Sequence, residues 1–191
     1  MMNFRLSNGS IIAQVQKLLP RWLLFIAVTV ILGTSDGFGK DKELNYLKNG
    51  LSFSLPGDWR TISDEALPDR GFYYSAESTE KNSTGLFTIV TISHVENAVK
   101  ALLLQQQTMK EGDLYKDGGI EFTAIGNDHF GSSEAAMVNY ESIVKGIKIS
   151  GKIYCFNCSE KTYLLFFQSG LKDEKKNARA FRLIEVTFAC R

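Results

Sequence analysis

Histidine, cysteine and proline are scarce in this chain of 191 residues, which contains two histidines, three cysteines and three prolines. So few histidines and cysteines leave little material for a metal cage or a catalytic triad. Three prolines and 16 glycines exclude a collagen-like or proline-rich disordered chain. The formal net charge is only +1, so the chain lacks the positive excess that would hold nucleic acid. The composition, 44% hydrophobic and 23% charged, is that of one globular domain with room for a targeting segment.

Long apolar runs are also absent, because the longest candidate, residues 22–32, has eleven residues (WLLFIAVTVIL). Such a run rises about 16 Å as a helix, about half of a hydrocarbon core of roughly 30 Å. Basic residues precede it and small residues follow it. This pattern predicts a secretory signal peptide over residues 1–39. An uncleaved membrane anchor through residues 22–32 and a buried core helix are the alternatives.

Removal of residues 1–39 would take away three basic residues and one acidic residue and leave a mature charge of about −1. Such a surface is not steered toward nucleic acid or anionic membranes. The segment contains no cysteine, which excludes a lipid-modified cysteine anchor. We therefore expect an exported protein, periplasmic or secreted, that touches a membrane only through residues 22–32 if the leader is not cleaved.

Residues 40–191 predict a single α+β domain with a mostly antiparallel sheet of six to seven strands. Residues 51–55 alternate between apolar and polar, and Pro56 ends this strand. The other predicted strands are residues 71–76, 86–92, 120–124, 133–144, 147–156 and 162–168. Residues 86–92 are apolar on both faces, which is typical of a central strand covered on two sides. Short turns between successive strands favour antiparallel pairing.

Two segments predict helices that cover this sheet. Residues 97–109 lack glycine and proline and are rich in leucine, glutamine and alanine. The last segment is ambiguous, since Phe181, Ile184 and Phe188 have helical spacing but Ile184 and Phe188 also fit a strand alternation. The charged stretch of residues 172–180 contains strong helix formers and favours a helix. The order β-β-β-α-β-β-β-β-α then gives an αβα layered domain.

This order and three sequence segments resemble the PsbP-like superfamily. The segments are the opening GLSFSLPGDW of residues 50–59, the hairpin of residues 118–126 with strand 135–140, and the closing strand 161–168 with the helix that ends at Phe188. The resemblance covers residues 46–189, which is nearly the whole domain. It implies the α+β fold described above.

The function that this resemblance implies is limited. Members include an extrinsic subunit of photosystem II, a Ran-binding nuclear import factor and exported bacterial proteins. They share a scaffold and no reaction, so the resemblance implies no catalytic residues and no cofactor. Nothing in the sequence shows the thylakoid address that the photosystem subunit needs. We therefore expect an exported, non-enzymatic binding or assembly-accessory domain of the bacterial envelope, whose partner is another envelope protein.

Cys155 and Cys158 form a C-x-x-C motif, which in redox enzymes opens a helix that lowers the pKa of the first thiol. Here the motif ends a predicted strand and enters a turn. A thiol–disulfide redox protein that uses Cys155 and Cys158 is kept as one alternative function, and an uncleaved, membrane-tethered structural domain is the other. The strand at 161–168 leads away from the turn, and an antiparallel final helix would return Cys190 to it. In an oxidising compartment we expect a disulfide from Cys190 to Cys155 or Cys158.

Trp59, Tyr73 and Tyr74 are the candidate binding residues, on the condition that their rings form an exposed patch. Packing of these rings in the core is the alternative. A group of basic residues on the last helix predicts either a solvated face or a partner contact; it comprises Lys172, Lys175, Lys176, Arg179 and Arg182.

No metal site is predicted. His94 and His129 are expected in loops, and neither has a carboxylate or a cysteine at ligand spacing. Asp64, Glu65 and Asp69 lie in a predicted loop that lacks the glycine and the spacing of a calcium-binding loop.

Overall fold

The computed structural model describes residues 43–67, 71–81, 83–93, 95, 97–115 and 118–190. The prediction of a leader over residues 1–39 therefore lies outside the described residues. The strands are β1 (Leu44–Lys48), β2 (Leu51–Leu55), β3 (Trp59–Ala66), β4 (Phe72–Ser78), β5 (Leu86–Ser93), β6 (Ile120–Phe122), β7 (Gly126–Phe130), β8 (Ser133–Val144), β9 (Ile147–Cys158), β10 (Lys161–Gly170) and β11 (Ala189–Cys190). The helices are α1 (Ala98–Glu111) and α2 (Glu174–Thr187), with short 3-10 turns at Asp113–Tyr115 and Leu171–Asp173.

The described strands form two antiparallel sheets. The large sheet has eight strands in the order β3-β4-β5-β10-β9-β8-β6, and β7 pairs with β8 beside β6. The small sheet has the order β1-β2-β11. β5 lies between β4 and β10 and is buried from Leu86 to Thr91, which confirms the prediction of a central strand covered on two sides. The predicted α+β fold with two helices is confirmed, but its strands are divided between two sheets.

The main core lies between one face of the large sheet and the layer formed by the small sheet and α2. Alternate residues of the large sheet face this core, among them Tyr74, Phe87 and Phe167. The Phe53 ring of β2 packs over them, with its centroid 5.3 Å from that of Tyr74 and 5.5 Å from that of Phe87. Phe188 stacks beside Phe53 at 6.3 Å. Burial of large rings is therefore the main force that holds the two layers together.

The opposite face of the large sheet packs against α1, which contacts β8 and β9. Asn97 caps the first turn of this helix through its side chain. Leu102 is fully buried on the side that faces the sheet. Val138 and Ile153 are cross-strand partners and are equally buried. Because Tyr154 faces the main core and strand residues alternate, Ile153 faces α1, which completes the predicted αβα layering.

Four strands, β1, β3, β7 and β11, were not predicted. The sequence analysis places Asp64 and Glu65 in a loop, whereas these residues belong to β3. β3 is an edge strand with a register shift between Thr61 and Ser63. Most of its residues are exposed or half-buried, so its sequence lacks the apolar alternation that identifies a strand.

The ambiguous last segment is the helix α2, which confirms the prediction based on the spacing of Phe181, Ile184 and Phe188. Ile184 is fully buried and Phe188 nearly so. The helix stops at Thr187, and β11 then pairs with Leu51 and Ser52 of β2. The alternation of apolar residues at 184–188 therefore results from the apolar stripe of the helix and does not indicate a strand.

The first turn of α2 is held by polar side chains from the loop between β4 and β5. Asn177 is buried, donates to Ser169 Oγ at 2.8 Å and accepts from Ser83 Oγ at 3.0 Å. Next to it, Thr84 Oγ1 donates to Asp173 Oδ2 at 2.8 Å. The buried amide thus has partners for both its nitrogen and its oxygen, which a buried polar group requires.

Removal of the Asn177 amide should destabilise the domain, because Ser169 and Ser83 would lose their partner inside a closed site. We expect Asn177→Ala to lower the free energy of unfolding by about 1–3 kcal/mol, measured by urea denaturation. Arg179→Ala, two residues along the same helix and exposed, is the matched control and should change it by about 0.5 kcal/mol or less. Equal effects of the two substitutions would contradict the role given to Asn177.

The Thr91 hydroxyl is buried, and it has no hydrogen-bond partner among the described residues. Thr91→Val should therefore raise the free energy of unfolding by about 1 kcal/mol, since valine keeps the shape and removes the unpaired hydroxyl. Thr88→Val is the matched control on the same strand. Thr88 Oγ1 lies 3.1 Å from Ser75 Oγ, so its loss should destabilise the fold. A loss of stability in Thr91→Val would contradict this account.

Candidate functional site

A cleft of about 680 Å³ lies between α2 and the part of the large sheet formed by β6, β8, β9 and β10. We call it the α2 cleft. The small sheet packs at the other side of the molecule, over β4 and β5, through the Phe53 contacts described above. The inner face of β8 and β9 beside α2 is therefore left open.

The floor of the α2 cleft consists of rows of side chains that run across neighbouring strands. The first row is set by the pairing of Glu121 with Glu141, of Glu141 with Ser150, and of Ser150 with Ser169. In the second row Asn139 and Phe167 both pair with Lys152. Members of a row share the face of the sheet that looks toward α2. The floor is thus polar where it is most exposed and becomes aromatic toward the core.

The wall of the α2 cleft is the side of α2 that carries Ala178, Phe181, Arg182 and Glu185. The half-buried Phe181 ring lies 5.1 Å from Phe167, edge to face, and joins the wall to the floor. Arg182 forms an ion pair of 3.2 Å with Glu185 one turn along the helix. The wall therefore presents an apolar strip beside a neutralised charge pair.

Lys152 and Tyr154 occupy the middle of the floor. Lys152 Nζ donates to the Tyr154 hydroxyl at 3.3 Å and lies 5.4 Å from the centre of its ring. The same hydroxyl donates to Asp128 Oδ2 at 3.4 Å. Burial and the neighbouring Asp128 carboxylate raise the pKa of Tyr154 well above its usual value. Tyr154 is therefore a neutral hydrogen-bonding group at any physiological pH, and it holds the Lys152 ammonium in place.

Trp59, Tyr73 and Tyr74 do not form the exposed aromatic patch that a binding role for them requires. Their exposed fractions are 3%, 7% and 1%. Trp59 packs edge to face against Phe181 at 5.8 Å, and the Tyr74 hydroxyl lies 3.0 Å from Thr61 Oγ1. These rings therefore belong to the buried interior.

The sequence analysis missed the residues of the α2 cleft. Tyr154 and Phe167 lie on predicted strands, but a predicted strand does not show which of its residues line a cleft. Glu121 and Glu141 are separated by twenty residues in the chain and become neighbours through strand register. Register between distant strands has no local signature in one sequence.

The basic residues of α2 do not act as one charged group. Lys176 pairs with Glu80 at 3.2 Å, and Arg182 pairs with Glu185. Lys172, Lys175 and Arg179 are exposed to solvent. Exposed pairs of this kind stabilise the fold by at most about 1 kcal/mol.

Cys190 forms a disulfide with Cys158, so the predicted disulfide of Cys190 is confirmed and its partner is identified. Cys155 is a free, fully buried cysteine. Cys155 and Cys158 are three residues apart on one strand, so their side chains point to opposite faces of the sheet. The Cys155–Cys158 pair that the redox alternative needs is therefore not formed. Burial also raises the pKa of the Cys155 thiol to about 12, so it is not an activated nucleophile.

The disulfide joins the two sheets. Cys158 is the last residue of β9 in the large sheet, and Cys190 ends β11 in the small sheet. The bond closes a chain segment with a sequence separation of 32 residues, which contains β10 and α2. It therefore fixes the C-terminal end of α2 against the large sheet, at the opposite end of the helix from Asn177.

In the part of the chain that the structure describes, no group of three or more histidine, cysteine, aspartate or glutamate side chains is placed to hold a metal ion. His129 is exposed on β7, and His94 lies outside the described residues. Within the same residues, neither α1 nor α2 has the length and apolar character needed to span a bilayer.

Removal of the disulfide should weaken the contact between the sheets. We expect Cys190→Ser to lower the free energy of unfolding by about 3–4 kcal/mol, the chain-entropy value for a closed segment of this length. Without reductant, the native protein should offer no rapidly reacting thiol, and the urea-unfolded protein should offer one. Cys155→Ala is the control, in which reductant should still lower stability. Two or three reactive thiols in the unfolded, unreduced protein would contradict the disulfide.

Comparison with known proteins supplies a fold and no activity. No protein-family model and no curated protein matches this sequence. The solution structure of cyanobacterial PsbP (CyanoP) from Synechocystis sp. PCC 6803 matches with a TM-score of 0.56 at 11% identity, over 84% of this chain and 99% of that chain. LpqN, involved in cell envelope biogenesis of Mycobacterium tuberculosis, matches with a TM-score of 0.46 at 14% identity, over 78% of this chain and 90% of that chain. A Ran-binding protein of Saccharomyces cerevisiae matches with a TM-score of 0.49 at 10% identity, over 78% and 94%.

At sequence identities this low, the matches show a similar backbone fold but do not show that particular residues correspond. The match to cyanobacterial PsbP extends over 84% of this chain and 99% of that chain, so the two backbones share a fold. The three sequence segments that resemble the PsbP-like superfamily lie within the same domain. This chain has the PsbP-like fold.

Proposed function

We propose that this protein is an exported, non-enzymatic binding or assembly-accessory domain of the bacterial envelope, and that it holds another envelope protein in the α2 cleft. The observation that carries the proposal is the cleft itself. It has a polar floor and a half-buried aromatic wall, and it lies between α2 and the large sheet. Pockets that combine apolar walls with a few polar groups are the usual binding sites of proteins.

The chemistry of the α2 cleft supports binding more than catalysis. Among the described residues that line it, neither serine makes a hydrogen bond to a histidine or to a carboxylate, as an activated nucleophile would. Ser169 is engaged by Asn177, and Lys152 is engaged by Tyr154. The serines and the lysine of the cleft are therefore not arranged as an activated nucleophile with its base.

The disulfide supports export. A bond between Cys158 and Cys190 persists in the periplasm or outside the cell, whereas cytoplasmic thiols are kept reduced. The proposed leader over residues 1–39 would deliver the domain to that compartment. If the leader stays uncleaved, residues 22–32 would tether the same domain to the membrane.

The full chain, made in a bacterial host and thiol-blocked in denaturant after cell fractionation, tests the proposal by its intact mass. We expect a mass that lacks the leader and carries one blocked thiol. A full-length mass in the carbonate-washed membrane fraction would favour the tethered form. A full-length mass with three blocked thiols would contradict both export and the disulfide.

Photo-crosslinking in the same cells tests the binding role. Benzoylphenylalanine at Ala178, an exposed position of the cleft wall, should give a discrete adduct with another envelope protein. The same group at Lys100, exposed on α1 at the opposite face, is the matched control and should not. Identical adducts from both positions, or none from Ala178, would contradict binding in the α2 cleft.

A further inference from the structure

The α2 cleft contains a pair of carboxylates that the fold itself does not explain. Glu121 of β6 and Glu141 of β8 are directly opposite each other in the antiparallel pairing, and both are exposed. Side chains in this position have Cβ atoms about 4.5–5.5 Å apart, and like charges there are destabilising. Neither glutamate has an ion-pair partner among the described residues. The pair therefore costs stability in the free protein.

Lys152 is the positively charged residue closest to this pair in the strand register, but its ammonium group points away from the two glutamates. Lys152 lies one row further along the floor, diagonal to Glu141, but its ammonium group donates to the Tyr154 hydroxyl. Arg182, across the cleft on α2, is already paired with Glu185. Among the described residues that line the cleft, four are glutamates and two are cations, so the site is acidic on balance. A positive group from another molecule would remove the repulsion.

We infer that the partner occupies the α2 cleft with an extended basic segment, and that a lysine or arginine of this segment lies between Glu121 and Glu141. The inference rests on the binding function proposed above and specifies the chemistry of the partner. A neighbouring apolar side chain of the segment would pack on the strip formed by Ala178 and Phe181. Charge complementarity fixes the register of the segment, and desolvation of the apolar side chain adds affinity.

The shape of the site favours an extended polypeptide over a compact ligand. The cleft is an open trough of about 680 Å³ between a helix and a sheet. β6 is the terminal strand of the large sheet, so among the described residues its outer edge has no strand partner and can accept main-chain hydrogen bonds. Side chains of an extended chain recur on one face about every 7 Å, which matches the spacing of the rows in the floor.

The test uses two synthetic peptides as probes, acetyl-SKSFSKS-amide and its charge-reversed counterpart acetyl-SESFSES-amide. Both are titrated into the folded, disulfide-bonded protein and followed by ¹⁵N–¹H chemical shifts. We expect the lysine peptide to bind at least tenfold more tightly than the glutamate peptide, with shifts at β6, β8 and α2. The double variant Glu121→Gln and Glu141→Gln should lose this preference.

Glu134→Gln with Glu160→Gln is the matched control, because it removes the same charge from two exposed positions that do not line the cleft. It should bind the lysine peptide as tightly as the unaltered protein does. Equal loss in the control and in the cleft variant would mean that net charge alone attracts the peptide, and would overturn the inference. Unchanged binding by the cleft variant would overturn it as well.

Two further outcomes separate this inference from the proposed function. If neither peptide binds but the crosslink from Ala178 forms, the binding function stands and the basic segment is wrong. If millimolar calcium shifts the resonances of Glu121 and Glu141 while the lysine peptide does not, the pair is a cation site and the inference is overturned. If neither peptide binds and no crosslink forms, both proposals fail.

Discussion

The position of α2 is the constraint on which the rest of the structure depends. This helix lies in the same layer as the small sheet, and its apolar stripe ends in Phe188, whose ring stacks beside Phe53. The buried amide of Asn177 holds its first turn to the large sheet, and the Cys158–Cys190 disulfide holds the chain just beyond its last turn. A helix fastened at both ends and packed along its length cannot pivot, so the wall of the α2 cleft is preformed.

The cleft exists because one layer is smaller than the other. A small sheet of three strands and one helix of 14 residues cannot cover the inner face of an eight-stranded sheet. The uncovered strands carry polar residues on that face, as the row from Glu121 to Ser169 shows, and this row would be costly to bury without partners. A preformed wall and an open polar floor reduce the ordering that a partner must impose on the site, which favours binding.

The strands that were predicted and those that were not differ in how many faces they bury. β8 was predicted with its observed bounds, and β5 and β10 to within two residues at either end, because their apolar residues follow the pattern of buried faces. β3 and β7 lie at or beside the edge of the large sheet and carry mainly polar residues, so each reads as a turn or loop until a neighbouring strand is known. The tiny strand β11 depends entirely on β2, since two residues have no pattern of their own. Helix α2 was predicted because the spacing of its apolar residues depends on the local sequence and not on the tertiary arrangement.

The candidate binding residues also show what the sequence can identify and what it cannot. The aromatic content of residues 59–74 marked Trp59, Tyr73 and Tyr74 as candidates, but composition cannot tell a buried ring from an exposed one. The Glu121–Glu141 pair could not have been found without the register of β6 against β8.

The sequence by itself determined the α+β class, the order of its main elements and the return of Cys190 to the turn after β9, since these follow from local periodicity and chain length. Only the tertiary structure decided that Cys158 is the partner of Cys190 and that Cys155 is buried, because the alternation of the strand turns the two cysteines to opposite faces. It also decided where the cleft lies, because an uncovered surface is a property of how the layers meet and not of any one segment.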